Sequence, residues 1–235
     1  WTFGDPQSVL AISILLLLLF SNMPNLSNEV PYFIVRTDRR TWMCGQILYL
    51  VSATFVFLLF IFAATIFLSA GRAYPADIWS DTAAILGYSN TGEKLAVPAF
   101  VKVMELTSPY WCTVHIFLLV TGYAVTMTSL ILFLNLCRDN GGMIGGVIFS
   151  VFGVITNPDI IANWFGISME RMQIANILSG WISPLNHATY YMHNFGYDNL
   201  PCLWQSYAFF IFASAVLFVC SLIKVRNHSF RFTGK

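Results

Sequence analysis

The chain has 235 residues, of which 57% are hydrophobic and only 10% charged, with a formal net charge of +1. A soluble domain carries roughly 25% charged residues, so most of this surface does not face water, and 16% aromatics argue against disorder. No basic tract points to nucleic acid. The composition predicts an all-α polytopic membrane protein with one transmembrane domain over 1–235.

Asp5 is the only charge before the first apolar run, and no Lys or Arg precedes it. A signal peptide has a basic start and a small-residue cleavage site. Neither is present, and the chain is expected to begin inside a longer protein. The first apolar run is 7–23, with a strong centre of twelve residues. A connection over 22–45 follows, with the cluster Arg36, Asp38, Arg39, Arg40, Trp42 behind Tyr32 and Phe33. The second run, 46–69, is the clearest. Helix-like stretches at 77–86 and 98–106 occupy the next connection, 70–109. The third run is 110–136, and the fourth, 143–156, is short for a full span of ~20 residues. A connection over 157–203, with a helix-like stretch at 168–181, leads to the fifth run, 204–223, and a tail, 224–235. Strands of a membrane barrel are ~10 residues long and alternate in polarity. These runs are longer and apolar all round, so five transmembrane helices are expected.

The connections separate by charge. One set, 22–45, 137–142 and the tail, holds Arg36, Arg39, Arg40, Arg138, Lys224, Arg226, Arg231 and Lys235. Against these eight stand three acids, Glu29, Asp38 and Asp139, a balance of +5. The other set is the chain start, 70–109 and 157–203. Its four basic residues, Arg72, Lys94, Lys102 and Arg171, face eight acids, a balance of −4. The sets alternate as five spans require. The Lys/Arg bias places the first in the cytoplasm, so the chain starts outside and ends inside. A cytoplasmic true N-terminus would add a sixth span upstream.

The segment around Arg36 is the main candidate for a partner site. A short helix rich in Arg and aromatics could dock on a soluble subunit through bidentate contacts to carboxylates. On charge pattern alone, anchoring to lipid phosphate by Arg39 and Arg40, with Trp42 in an interfacial belt, is the favoured alternative. Gly142, Gly146 and Ser150 recur every four residues and form a small-residue stripe for close helix packing, or a flexible hinge. His115 lies near the outer end of the third run, where an intramembrane ionisable group could line a pathway. His187 and His193 lack a carboxylate or Cys pattern and are expected to be hydrogen-bonded structural residues. Cys112 and Cys202 both sit near the outer face, so a disulfide between them is topologically possible. The run 87–94 superficially resembles a P-loop, but Glu93 stands where the lysine belongs and Lys94 where Ser or Thr belongs. No ATP site is expected on this chain. No catalytic, cofactor-binding or metal residues are assigned.

The run Tyr32-Phe33-Ile34-Val35-Arg36-Thr37-Asp38-Arg39-Arg40-Thr41-Trp42, followed by Gln46-Ile47-Leu48-Tyr49, resembles the membrane subunits of type-2 ABC transporters, in the Firmicute branch whose ATPase is a separate chain. Ser183-Pro184-Leu185-Asn186-His187-Ala188 with His193 is similar to that group's Ser-Pro stretch before the last span. The resemblance implies six spans, a dimeric transmembrane unit and re-entrant helices before the last span. It also implies a coupling helix within 22–45 that meets the ATPase, with Tyr32, Phe33, Arg36, Asp38, Arg39, Arg40 and Trp42 at the contact. The expected function is a permease subunit of an ATP-driven exporter in a bacterial plasma membrane. ATP and Mg would be held by partner ATPase subunits, beside a second permease chain, identical or homologous. The alternative is a membrane scaffold or immunity subunit that binds a peptide or lipid without transport.

Overall fold

The structure is a computed structural model that describes residues 2–24, 37–71, 76–89, 91–94, 100–138, 141–196 and 198–227. The described residues form helices and no strand. In chain order these are α1 (Pro6–Phe20), α2 (Arg39–Ser69), α3 (Asp81–Tyr88), α4 (Thr91–Lys94), α5 (Val101–Leu106), α6 (Pro109–Cys137), α7 (Gly141–Ile155), α8 (Pro158–Phe165), α9 (Met172–Ile182), α10 (Pro184–Ala188) and α11 (Leu203–Lys224).

Local chemistry sets the helix ends. Asp5 accepts a hydrogen bond from the Gln7 amide at 3.2 Å, and Pro6 takes the first helical position of α1, where a missing N–H costs nothing. Asn157 and Pro158 start α8 in the same way, with the Asp159 amide donating to Asn157 Oδ1 at 2.7 Å. Gly166 ends α8 at φ 62°, a left-handed conformation that favours glycine.

α6 is the central helix. In its most apolar window 61% is buried, against 22% in the corresponding windows of α2 and α11. It packs against α11 and α7, and then α2 and α1. One apolar core runs along it, through Leu16 and Phe20 of α1, Leu58 of α2, Tyr123 and Met127 of α6, and Phe210 of α11. A smaller core at one end joins Met43, Leu50, Leu132, Leu136 and Val225.

The end with Arg39, Arg138 and Arg226, here the basic end, is closed by polar ties. Asn135 Nδ2 donates to Ser21 O at 2.8 Å and to Met23 O at 2.6 Å, and its Oδ1 accepts from the Gly142 amide at 2.7 Å. One side chain thereby fixes the end of α1, the end of α6 and the start of α7.

The five expected spans are not all met. Among the described residues, three helices are long and apolar enough to cross a membrane: α2, α6 and α11, the last extended to Asn227. A fourth is reached only if α7 and α8, bent by 81° at the break between them, count as one span. α1 has 15 residues, about 22 Å of helix at 1.5 Å per residue, short of the ~30 Å hydrocarbon thickness. The apolar run 7–23 reads as longer because it takes in the turn at Ser21 and Asn22, where the helix has already ended. α8 and α10 fall within 157–203, where the resemblance implies re-entrant helices, but the residue pattern alone marks only 168–181 there. Each is short, and prolines at their first positions read equally well as loop punctuation.

Candidate functional site

Two regions concentrate polar chemistry, one at each end of the bundle. At the basic end, Tyr32, Phe33 and Arg36 lie outside the described residues. Asp38, Arg39, Arg40 and Trp42 do not form a separate segment. Asp38 takes the N-cap position of α2 without a side-chain capping bond and the other three occupy its first turn, with the Trp42 amide donating to Asp38 O at 3.0 Å. Apolar residues at 42–43 and 47–50 carry the helix periodicity back through the charged turn, so α2 begins ahead of the apolar run. Trp42 is half-buried against the small core of Met43, Leu50, Leu132, Leu136 and Val225. Arg39 and Arg40 are exposed. The Arg39 Nη1 donates to Arg226 O at 2.8 Å, which ties the first turn of α2 to the end of α11.

Gly142, Gly146 and Ser150 are buried along α7. A Cβ at Gly142 would lie 2.7 Å from Asn135 Oδ1 and against Ile131 O, and one at Gly146 would overlap the Leu17 side chain. The stripe faces α6 and α1. Gly153, on the same face, would place a Cβ 2.8 Å from Leu185 Cβ.

At the opposite end a cavity of about 980 Å³ opens between the start of α1, the α7–α8 bend, α9 and the stretch 191–200. Its polar lining is mainly carboxamide, including Gln7, Asn157, Gln173, Asn176 and Asn186. Lys102 and Asp198 form an ion pair at its edge, and Lys102 Nζ also donates to His193 O at 3.0 Å. Leu10, Ile177, Leu185 and Leu200 supply apolar wall. Burial pushes the Tyr191 phenol up to about 12, so it lines the cavity as a neutral hydroxyl.

Behind the cavity lies a buried polar cluster. Asn186 Nδ2 donates to Ser179 Oγ at 2.7 Å, and Ser179 Oγ donates to Thr156 O at 2.5 Å, stitching the end of α7 to α9 and α10. The Ser183 hydroxyl donates to Gly153 O at 2.8 Å. His187 and His193 converge on Ser206 of α11, at 2.7 Å from His187 Nδ1 and 2.8 Å from His193 Nε2. Their other ring nitrogens face carbonyls: His187 Nε2 donates to Trp181 O at 3.0 Å, and His193 Nδ1 to Thr189 O at 3.0 Å. Burial pushes both imidazoles down, His193 to about 4. Every ring nitrogen has a polar atom within hydrogen-bonding distance, and no group of three potential metal ligands occurs among the described residues.

His115 stands apart from the cavity. Its Nδ1 lies 2.7 Å from Tyr207 Oη, between the rings of Trp111, Tyr190 and Tyr207. All five cysteines are free thiols, so Cys112 and Cys202 are not bridged. Gly87 and Tyr88 end α3 and Thr91–Lys94 is itself helical, so the described residues of this stretch form helix rather than a phosphate-cradling loop.

Lys102, Asp198 and Ser206 escape a reading of the sequence. Lys102 and Asp198 are 96 positions apart, and Ser206 is one serine among apolar neighbours in a span. His193, 13 positions before Ser206, is the signal that points there. Comparison with family models, curated proteins and solved structures finds no match.

Proposed function

We propose that the chain is a membrane-spanning permease subunit of an ATP-driven ABC-2-like transporter, engaging a separate ATPase through its basic end. The observation that carries this reading is the first turn of α2. Arg39 and Arg40 are exposed there, while Trp42 is wedged into the core beneath and Arg39 holds Arg226 O of α11. A push on this turn is delivered to two long apolar helices at once, which is the mechanical property a coupling contact needs. The resemblance of 32–42 to ABC-2 coupling regions supports the same assignment. Export is the proposed direction, hydrolysis is placed on the partner ATPase, and a second permease chain completes the path.

The test is Arg39→Glu with Arg40→Glu in the chain purified from its native membrane. The expected outcome is loss of the co-purifying ATPase and at least tenfold loss of substrate-stimulated hydrolysis. An ATPase that stays bound and stimulated sinks the assignment. The second reading, a scaffold or immunity subunit, draws on the carboxamide-lined cavity, which can hold a peptide or polar lipid head without any coupling contact. It is favoured if the wild-type complex purifies with no ATPase.

A further inference from the structure

His187, Ser206 and His193 pose a problem in hydrogen counting. A carbonyl oxygen only accepts, so Trp181 O fixes a hydrogen on His187 Nε2, and Thr189 O with Tyr190 O at 3.1 Å fixes one on His193 Nδ1. A neutral imidazole carries one N–H. Both remaining nitrogens, His187 Nδ1 and His193 Nε2, are therefore bare lone pairs aimed at one hydroxyl, 2.7 Å and 2.8 Å away. The hydroxyl has one hydrogen. It satisfies one ring and presents oxygen lone pairs to the other. The cluster is one hydrogen short.

We propose that His187, Ser206 and His193 form a site for a single proton taken from water: one imidazole becomes imidazolium and donates to Ser206 Oγ, while the Ser206 hydroxyl donates to the other. With that proton every contact has a donor and an acceptor, and one bond becomes charge-assisted. A second proton is opposed, because Ser206 Oγ would then accept from both rings and leave its own hydrogen without an acceptor, and the two imidazolium charges would repel. Both rings lie in the stretch 187–193 and the hydroxyl on the first turns of α11, so the proton fastens that stretch to the last long helix.

The surroundings set the terms. Lys102 brings a fixed cation beside the cluster, with its Nζ on His193 O, and Asp198 pairs with it. Asp5 acts on Tyr191, and Cys112 on Tyr190, only through their electric fields, and His115 stacks on Tyr190 at 5.9 Å. From α11, Phe209 stacks on His187 at 4.9 Å, and Tyr207 is turned to His115. No carboxylate touches either ring among the described residues, so the shared hydroxyl is what favours the proton. Desolvation opposes it, which makes the sign measurable.

The experiment compares thermal midpoints of the full chain and Ser206→Ala in the same detergent from pH 8 to pH 5. Desolvation of the rings acts in both proteins and lowers both midpoints as pH falls below the ordinary histidine value of ~6.5. The hydroxyl's contribution grows over that interval only in the wild type. The gap between the two should widen by about 3–5 °C for each tenfold that the hydroxyl adds to proton affinity. A gap that stays constant or narrows overturns the proposal. A second readout needs no Ser206 variant. Ring 15N spectra of wild-type histidines, assigned with His187→Gln and His193→Gln, should show one imidazolium in the pair by pH 5. Two neutral rings at pH 5 overturn it equally.

Discussion

Asn135 makes three hydrogen bonds from one carboxamide, to Ser21 O, Met23 O and the Gly142 amide, and is 7% exposed. Truncation strips the partner from two part-buried carbonyls and one buried amide, and an unsatisfied buried group costs about 1–3 kcal/mol. Asn135→Ala is therefore expected to lower unfolding free energy by about 2–4 kcal/mol, read as a thermal midpoint shift in detergent. An exposed polar control, Ser52→Ala, whose hydroxyl bonds only within its own helix, should shift it by less than ~0.5 kcal/mol. Nothing in the sequence singles out Asn135, because its three partners are all backbone atoms and two of them lie 112 and 114 positions away. The Gly142 stripe is legible in the sequence because its period is local.

At the scale of the element, α7 owes its closeness to α6 and α1 to missing side chains. Gly142→Ala drives a methyl against Asn135 and the Ile131 carbonyl, which are backbone or held in place. Overpacking of this kind costs about 1–3 kcal/mol. Gly45 of α2 has nothing within 4 Å of its would-be Cβ, so Gly45→Ala is expected to be neutral or slightly stabilising through helix propensity. Midpoints that respond alike to the two substitutions would contradict the close packing. The long helices α2, α6 and α11 are legible in the sequence, because an apolar run of that length has one interpretation. The start of α2 is not. Its first turn is charged, and a charged stretch beside an apolar run reads as a connection, whereas Trp42 and Met43 already bury the helix face there. α1 and α7 mislead in the other direction. Both are nearly pure hydrocarbon, and hydropathy reports what a helix could face rather than how far it runs.

Across the whole molecule, burial is uneven. α6 is enclosed by α1, α2, α7 and α11, while α3 and α5 lie in a thin layer at the opposite end with one buried side chain each, Ala83 and Val103. Amide hydrogen exchange in micelles should run slowest in α6 and fastest in 81–88 and 101–106. Equal protection of the two would show that the outer layer is fastened by more than these contacts. The layer's own ties, such as Lys102 to Asp198 and Tyr88 to Glu105, leave no trace in the sequence. Each joins residues with no shared period and no motif.

α1 and α7 stop partway along α6. Both are anchored by Asn135 at the basic end, and Gly4, just before α1, already lies beside Ile116, with about two turns of α6 still to run. α2 likewise continues past Phe62, where it meets Phe3 and Phe117, and its last turn exposes Phe67 and Leu68. Those long helices set the thickness of apolar slab the molecule can fill, and the short ones fill only part of it. The shortfall is occupied by the carboxamide cavity and the polar stitches of α9 and α10. In a bilayer levelled on α2 and α6, that region would be an indentation, a place for water and lipid head groups to sink towards the midplane along one flank. The membrane around this protein would then be lopsided, full thickness beside α2 and thinned beside α1 and α7.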